Sequence, residues 1–155
     1  MHTEINIDLQ DTEWELDYID HDRNIARAIV YDESGQFYFV RAQRDDDFGK
    51  ATLIETAGGG VEDGEDLLTA IRRELKEELG VTVTIICKIG VVSDYYNLIH
   101  RHNINNYFLC KVESFGDKNL TEDEINSLHL STLKLSYEEA VKEYKDRANT
   151  KIGKL

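Results

Sequence analysis

The order of apolar and polar positions divides the chain into elements of two periods. Residues 14–18 alternate apolar and acidic side chains, from Trp14 to Tyr18, which predicts a half-exposed strand. Residues 25–31 are mostly apolar and predict a more deeply buried strand. Asp32, Glu33, Ser34 and Gly35 give a turn signal, and residues 37–42 a second strand, so the pair reads as a hairpin. Residues 51–56 form a short strand running into Gly58, Gly59 and Gly60. Over residues 66–79 the period becomes helical: Leu68, Ile71, Leu75 and Leu79 fall at i, i+3, i+7 and i+11, one apolar stripe, with Gly80 placed as a C-terminal cap. Residues 81–92 are rich in β-branched side chains and predict a strand bent at Gly90; residues 104–112 predict another. Ser136 followed by Glu139 is a capping-box pattern, opening a helix to about Ala148. Strands and helices without strict alternation predict a mixed sheet covered by helices, an α+β fold.

Composition narrows the function. A chain of 155 residues without proline, linker or repeat reads as one domain. Eighteen Lys and Arg against 31 Asp and Glu give a net charge of −13, which argues against broad nucleic-acid binding. The same charge repels a phosphate-bearing substrate unless a divalent cation intervenes. No apolar run has the length of a membrane span, and the opening residues lack a basic start and apolar stretch, so a cytoplasmic setting is expected. Cys87 and Cys110 stand in apolar runs and are expected to be reduced core residues.

The helix at 66–79 carries the candidate chemistry. At about 100° per residue, Glu74, Glu77 and Glu78 lie within about 100° of arc beside the apolar stripe. Like charges at this spacing destabilise a helix, and converging carboxylates suit Mg²⁺ or Mn²⁺. Glu65 precedes the helix, and Arg73 could hold a carboxylate by a forked hydrogen bond. The glycines would let the chain fold back so that a backbone amide or carbonyl faces these acids.

Gly59, five residues, Glu65, seven residues, then Arg73-Glu74-Leu75-Lys76-Glu77-Glu78-Leu79-Gly80-Val81 matches all nine defined positions of the Nudix box. The chain therefore resembles the Nudix hydrolase family, from about Asn24 to Ala148. The resemblance implies an α/β/α sandwich with a mixed β-sheet, in which residues 1–23 are an N-terminal extension forming an edge strand and 24–155 the hydrolase domain. It implies metal-dependent cleavage of a pyrophosphate bond in a nucleoside diphosphate linked to another moiety, or in a nucleoside triphosphate. The alternative is a Nudix-fold nucleotide-binding or regulatory module without turnover, which would be expected to lack box carboxylates. By the resemblance, Mg²⁺ or Mn²⁺ is held by Glu77 and Glu78, with Glu74 as ligand or base and the carbonyl of Gly58 as a further ligand. Arg73 and Glu65 support the geometry.

Members of the family often use a further acid before the last helix, and Glu122 and Glu124 are the candidates here, with Glu113 a weaker one. The proline that marks ADP-ribose hydrolases is absent. Tyr95 and Tyr96 stand 14 and 15 positions after Val81, near where dinucleoside-polyphosphate hydrolases carry a tyrosine. Either could stack on a base, as could Trp14, Tyr18 or Phe48. Arg101, between His100 and His102 and near Asn97, Asn103, Asn105 and Asn106, could contact a phosphate or sugar, or the group could be an exposed hairpin loop. Residues 45–50 read as a mobile acidic loop near the site entrance. The expected partners are a small nucleotide and, through the alternating strand at 14–18, a second copy of the chain; neither nucleic acid nor membrane is expected.

Overall fold

The computed structural model describes residues 3–12, 15–46 and 49–148. The chain forms β1 (Ile5–Leu9), β2 (His21–Tyr31), β3 (Gln36–Asp46), β4 (Gly49–Glu55), β5 (Ala57–Gly60), α1 (Leu67–Leu79), β6 (Val81–Tyr96), β7 (Arg101–Phe115), α2 (Glu122–Asn126), β8 (Ser131–Ser136) and α3 (Tyr137–Ala148). The strands make one mixed sheet in the order β1-β6-β7-β2-β3-β4, with β5 paired to β2 and β8 to β3. The pairs β1–β6 and β2–β7 are parallel, and the others are antiparallel.

Alternation along the strands sorts side chains into two layers. Ala26, Ala28 and Val30 of β2, Tyr38 and Val40 of β3, and Phe108, Cys110 and Val112 of β7 pack with Ala70, Ile71, Leu75 and Leu79 of α1. The intervening residues Phe37 and Phe39 turn to the opposite face, where they meet Leu133, Leu135 and Ala140 beside α3. Helices therefore cover both faces of one mixed sheet. Burial pushes the Cys110 thiol up to about 12, so it stays a neutral core group.

Local signals explain the ends of the helices. Asp66 caps α1 by accepting from the Thr69 amide, and Gly80 closes it in the left-handed conformation at φ 70°. Ser136 and Glu139 form the reciprocal capping box that opens α3.

Several expectations need correction. Residues 15–18 form no strand, and Trp14 lies outside the described residues. The N-terminal strand is instead β1, whose Ile5, Ile7 and Leu9 are exposed. Residues 45–50 are not an open loop: Asp45 pairs with Lys50 and Asp46 with Gly49 across the β3–β4 hairpin, while Asp47 and Phe48 lie outside the described residues. Leu68 is half exposed, and Ala70 takes its place in the buried face of α1. The glycine run is strand β5 rather than a loop, and β8 and the short α2 carry too little period to be read from sequence.

Gly90 fixes β1 to the sheet. It pairs with Ile5, and a Cβ there would stand 1.8 Å from the Ile5 carbonyl oxygen, a backbone atom that cannot yield. Gly90→Ala is expected to release β1 while costing no more than about 2 kcal/mol of global stability, because β1 contributes nothing to the core. Hydrogen exchange checks this: amides of residues 5–9 should lose protection while those of α1 keep it.

Candidate active site

Arg73 organises the acidic end of α1. Its Nε and Nη2 donate to the two oxygens of Glu65, both at 2.8 Å, a bidentate fork. Its Nη1 donates to Glu74 at 2.8 Å and to Glu77 at 3.3 Å, and Nη2 reaches the Gly60 carbonyl at 3.2 Å. Glu62 lies 3.7 Å away at the rim. The fork holds Glu65 ionised, with its carboxyl lowered to about 2 by the Arg73 hydrogen bonds and the Glu62 amide. The same partners raise Arg73 far above its ordinary range, so it is a permanent cation.

Glu78 lies on the buried side of the edge it shares with Glu74 and Glu77. It stands two turns from Ile71, against the buried stripe, and is 9% exposed. The Gly58 amide donates to it at 2.7 Å, so the glycine strand does fold back onto the helix acids. Burial pushes the Glu78 carboxyl up to about 8; the Gly58 hydrogen bond opposes this, and Glu74 and Glu124 add to it. Glu74 is also raised, first by burial, against the opposing pull of Arg73 and with further repulsion from Glu77 and Glu124.

The glycines are required here for contact. A Cβ on Gly58 would meet the Ala26 carbonyl oxygen at 2.1 Å, and one on Gly59 would meet the Glu74 carboxylate at 2.5 Å. Of the acids before the last helix, Glu124 lies near Glu74 and Glu78, while one of its oxygens accepts from the Thr121 amide in the capping box of α2. Glu122 stands exposed in the first turn of that helix. Glu113 accepts from Thr84 Oγ1 on the surface of β6 and β7.

The donor set is that of a hard divalent cation, carboxylate oxygens alone. Two half-buried or buried carboxylates short of counter-charge are the condition such a cation relieves. As they stand, no three acidic, His or Cys groups among the described residues converge as ligands for one ion. Arg73 stands between Glu74 and Glu77, and the Gly58 amide draws Glu78 aside. The residues fit a divalent cation in chemistry and neighbourhood, with the carboxylates turned to the protein's own donors.

The aromatic candidates separate. Tyr95 pairs with His102 and stacks on it at 4.6 Å, whereas Tyr96 pairs with Arg101, whose guanidinium lies 4.9 Å over its ring. Neighbours on a strand face opposite sides, so the two tyrosines do not line one surface. Tyr18 is stacked on His100 at 3.9 Å. Asn97, Asn103, Asn105 and Asn106 are buried, which overturns the reading of this segment as an exposed hairpin loop. Asn103 and Asn105 donate to the two oxygens of Asp94 at 2.7 and 2.8 Å, and Arg27 Nε donates to Asn105 at 3.2 Å. Arg23, Arg27 and Asp94 are not marked by any motif; the available signal was Arg27 as the one charged residue within the apolar stretch from Ile25 to Val30.

The family model for the NUDIX domain matches residues 21–152. The chain belongs to the Nudix family. An uncharacterized Nudix hydrolase of Salmonella typhi, YfcD, is 33% identical over 100 residues, covering 64% of this chain and 52% of that protein. The 8-oxo-dGTP diphosphatase of Haemophilus influenzae is 37% identical over 57 residues, 37% of this chain and 40% of that protein. The chain thus matches about half or less of the length of these curated relatives. A solved NUDIX hydrolase from Nitrosomonas europaea superposes with a TM-score of 0.63 at 18% identity, covering 84% of this chain and 82% of that one, which shows a shared Nudix fold.

The raised Glu78 carboxyl has a stability consequence in chelator. Its folded value of about 8 exceeds the ordinary 4.5, so between these values the folded state binds more protons than the unfolded state. Stability is therefore highest below pH 4.5 for this group and falls as pH rises towards 8, by as much as ~4 kcal/mol. Urea midpoints measured in EDTA from pH 5 to 8 should fall for the wild type and stay nearly flat for Glu78→Gln. An unchanged slope in the variant would remove Glu78 as the cause.

Proposed function

We propose that this Nudix protein is a metal-dependent hydrolase that splits the pyrophosphate bond of a nucleoside diphosphate derivative or nucleoside triphosphate. The observation that carries this reading is the intact set of acids around one arginine: Glu65 locked by Arg73, Glu74 and Glu77 on the same guanidinium, and Glu78 aimed at the glycine strand. A non-hydrolysing module has no need to keep two carboxylates in sites that raise their pKa, because that burial costs stability.

In this reading Glu74, Glu77, Glu78 and the Gly58 carbonyl hold Mg²⁺ or Mn²⁺. A divalent cation there supplies the positive charge that draws phosphates onto an acidic surface and lowers the pKa of water. Glu74 is half-buried with its carboxyl raised, which suits it to take the proton of the attacking water. Arg73 keeps that carboxylate oriented through Nη1. Glu124, tied back through one oxygen to Thr121, is the second candidate for proton transfer. Water attacks one phosphorus in line, the P–O bond of the anhydride breaks, and the second phosphate leaves with the bonding electrons. Tyr96 and Arg101 are substrate contacts in this reading, on the face of the sheet opposite α1, and Tyr95 is one on the face that α1 covers.

Two outcomes are expected in assays of phosphate or nucleoside monophosphate release from a nucleotide panel with Mn²⁺. Glu77→Gln lowers turnover by at least about 100-fold without lowering the melting temperature. A variant with near-normal turnover would overturn the role of Glu77. Gly59→Ala keeps the fold, because its added methyl meets the movable end of Glu74, and loses activity by about 10-fold or more. If the wild type binds nucleotides yet releases no product from any of them, the module reading replaces the hydrolase.

A further inference from the structure

The two sides of β5 are chemically opposite. A side chain at Gly59 would strike the Glu74 carboxylate, whereas one at Gly60 would stand 2.8 Å from the Arg23 guanidinium. Successive strand residues face opposite sides, so the acids of α1 and Arg23 are separated by the thickness of one glycine strand. Gly60 touches both systems, because its carbonyl also accepts from Arg73 at 3.2 Å.

Strand register places further groups on Arg23's face. Arg23 of β2 pairs with Asn103 of β7, Asn103 pairs with Asp94 of β6, and Arg101 with Tyr96 lies two residues along. Long side chains reach each other at such diagonal positions. Arg23 is near enough to disfavour the charge of Arg101, after burial of the Arg101 guanidinium itself. Among the described residues Arg23 makes no hydrogen bond or ion pair. Arg101 Nε is buried without a partner. A carboxylate on this face, Asp94, already accepts from both Asn103 and Asn105. Among the described residues no carboxylate bonds either guanidinium, and Asp94 only favours the charge of Arg101 from its place between the two asparagines. Such a pairing of guanidiniums is unfavourable until an anion joins it.

We propose that Arg23 and Arg101 form a seat for a further phosphate of the substrate, beyond the two whose anhydride is split, so that substrates carrying an extra phosphate are preferred over those ending in a neutral sugar. This rests on the hydrolase reading and deepens it by naming the substrate class. The guanidinium of Arg23 comes up against Gly60 because that residue has no side chain, so that one strand alone separates the acids from the arginines. Tyr96, 41% exposed beneath Arg101, holds that guanidinium by its ring face.

The test has two parts. In EDTA at low ionic strength, calorimetric titration with inorganic tripolyphosphate should show binding to the wild type, weakened at least tenfold in Arg23→Ala and in Arg101→Ala and partly kept in Arg23→Lys. Glu77→Gln should bind tripolyphosphate as well as the wild type does. In steady-state assays with Mn²⁺, both alanine variants should lose about 10- to 100-fold in kcat/KM, mostly through KM, on a nucleoside triphosphate or on a nucleoside diphosphate linked to a phosphorylated sugar. A loss on one of these two alone tells which of them supplies the phosphate. On a nucleoside diphosphate linked to a neutral sugar the change in Arg23→Ala should stay under threefold. Equal losses on charged and neutral substrates, or tripolyphosphate binding unchanged in both alanine variants, would overturn the seat. Absence of hydrolysis by the wild type would sink the hydrolase reading alone, since the titration in EDTA judges the arginines without it.

Discussion

One guanidinium sets the geometry on which the rest of the site depends. Arg73 cannot lose its proton, and its planar fork matches the two oxygens of Glu65 at 2.8 Å each, so its orientation is fixed by a partner from outside the helix. With that face committed, Nη1 is left aimed along α1 at Glu74 and Glu77. The helix is thereby allowed to carry three glutamates in five residues, an arrangement whose mutual repulsion would otherwise favour fraying. The carboxylates are not equivalent. Glu65 is locked and strongly acidic, Glu78 is buried and weakly acidic, and Glu74 lies between. Groups of one chemical type are thus spread over a wide range of proton affinity by position alone.

The glycine strand is the second constraint, and it acts through what it lacks. β5 takes the edge of β2 that β3 leaves vacant, since β2 and β3 pair only at Val30 and Tyr31. At that edge the backbone must approach α1 on one side and Arg23 on the other. A side chain at Gly58 is excluded by the backbone of β2, whereas one at Gly59 or Gly60 would displace the end of Glu74 or of Arg23. The backbone groups that become available serve the site directly: the Gly58 amide holds Glu78 and the Gly60 carbonyl holds Arg73.

Much of this was legible in the sequence because it is written in short-range spacing. Gly59, Glu65 and the acids of α1 sit at fixed intervals, and the caps at Asp66, Gly80 and Ser136 are local signals. What could not be read depends on register between distant strands. That Tyr95 and Tyr96 face apart follows from alternation, but which of them shares a face with Arg101 requires the pairing of β6 with β7. The importance of Arg23 depends on β2 running parallel to β7, which no local pattern states. The burial of Glu78 was missed for a simpler reason: a carboxylate reads as polar, although its seven-residue interval from Ile71 puts it against the buried stripe. The asparagines of β7 misled in the same way, being polar in composition and buried in fact through their bonds to Asp94 and to backbone carbonyls.

Net charge alone gave a partial picture of how an acidic protein could accept an anion. At −13 the average field opposes a phosphate, and a cation at the carboxylates answers that only on the α1 side of β5. The other side is locally different: Arg23, Arg27 and Arg101 face Asp94, whose charge is dispersed into two amides. Arg27 is spent internally on Asn105 and the Thr56 carbonyl, which stiffens the floor beneath the other two. Across the glycines of β5 the nearest side-chain charge therefore changes from the Glu74 carboxylate to the Arg23 guanidinium. An anionic chain laid over that strand would be held at one end through a cation and at the other by the protein's own charge, and only the second hold can tell a charged group from a neutral one.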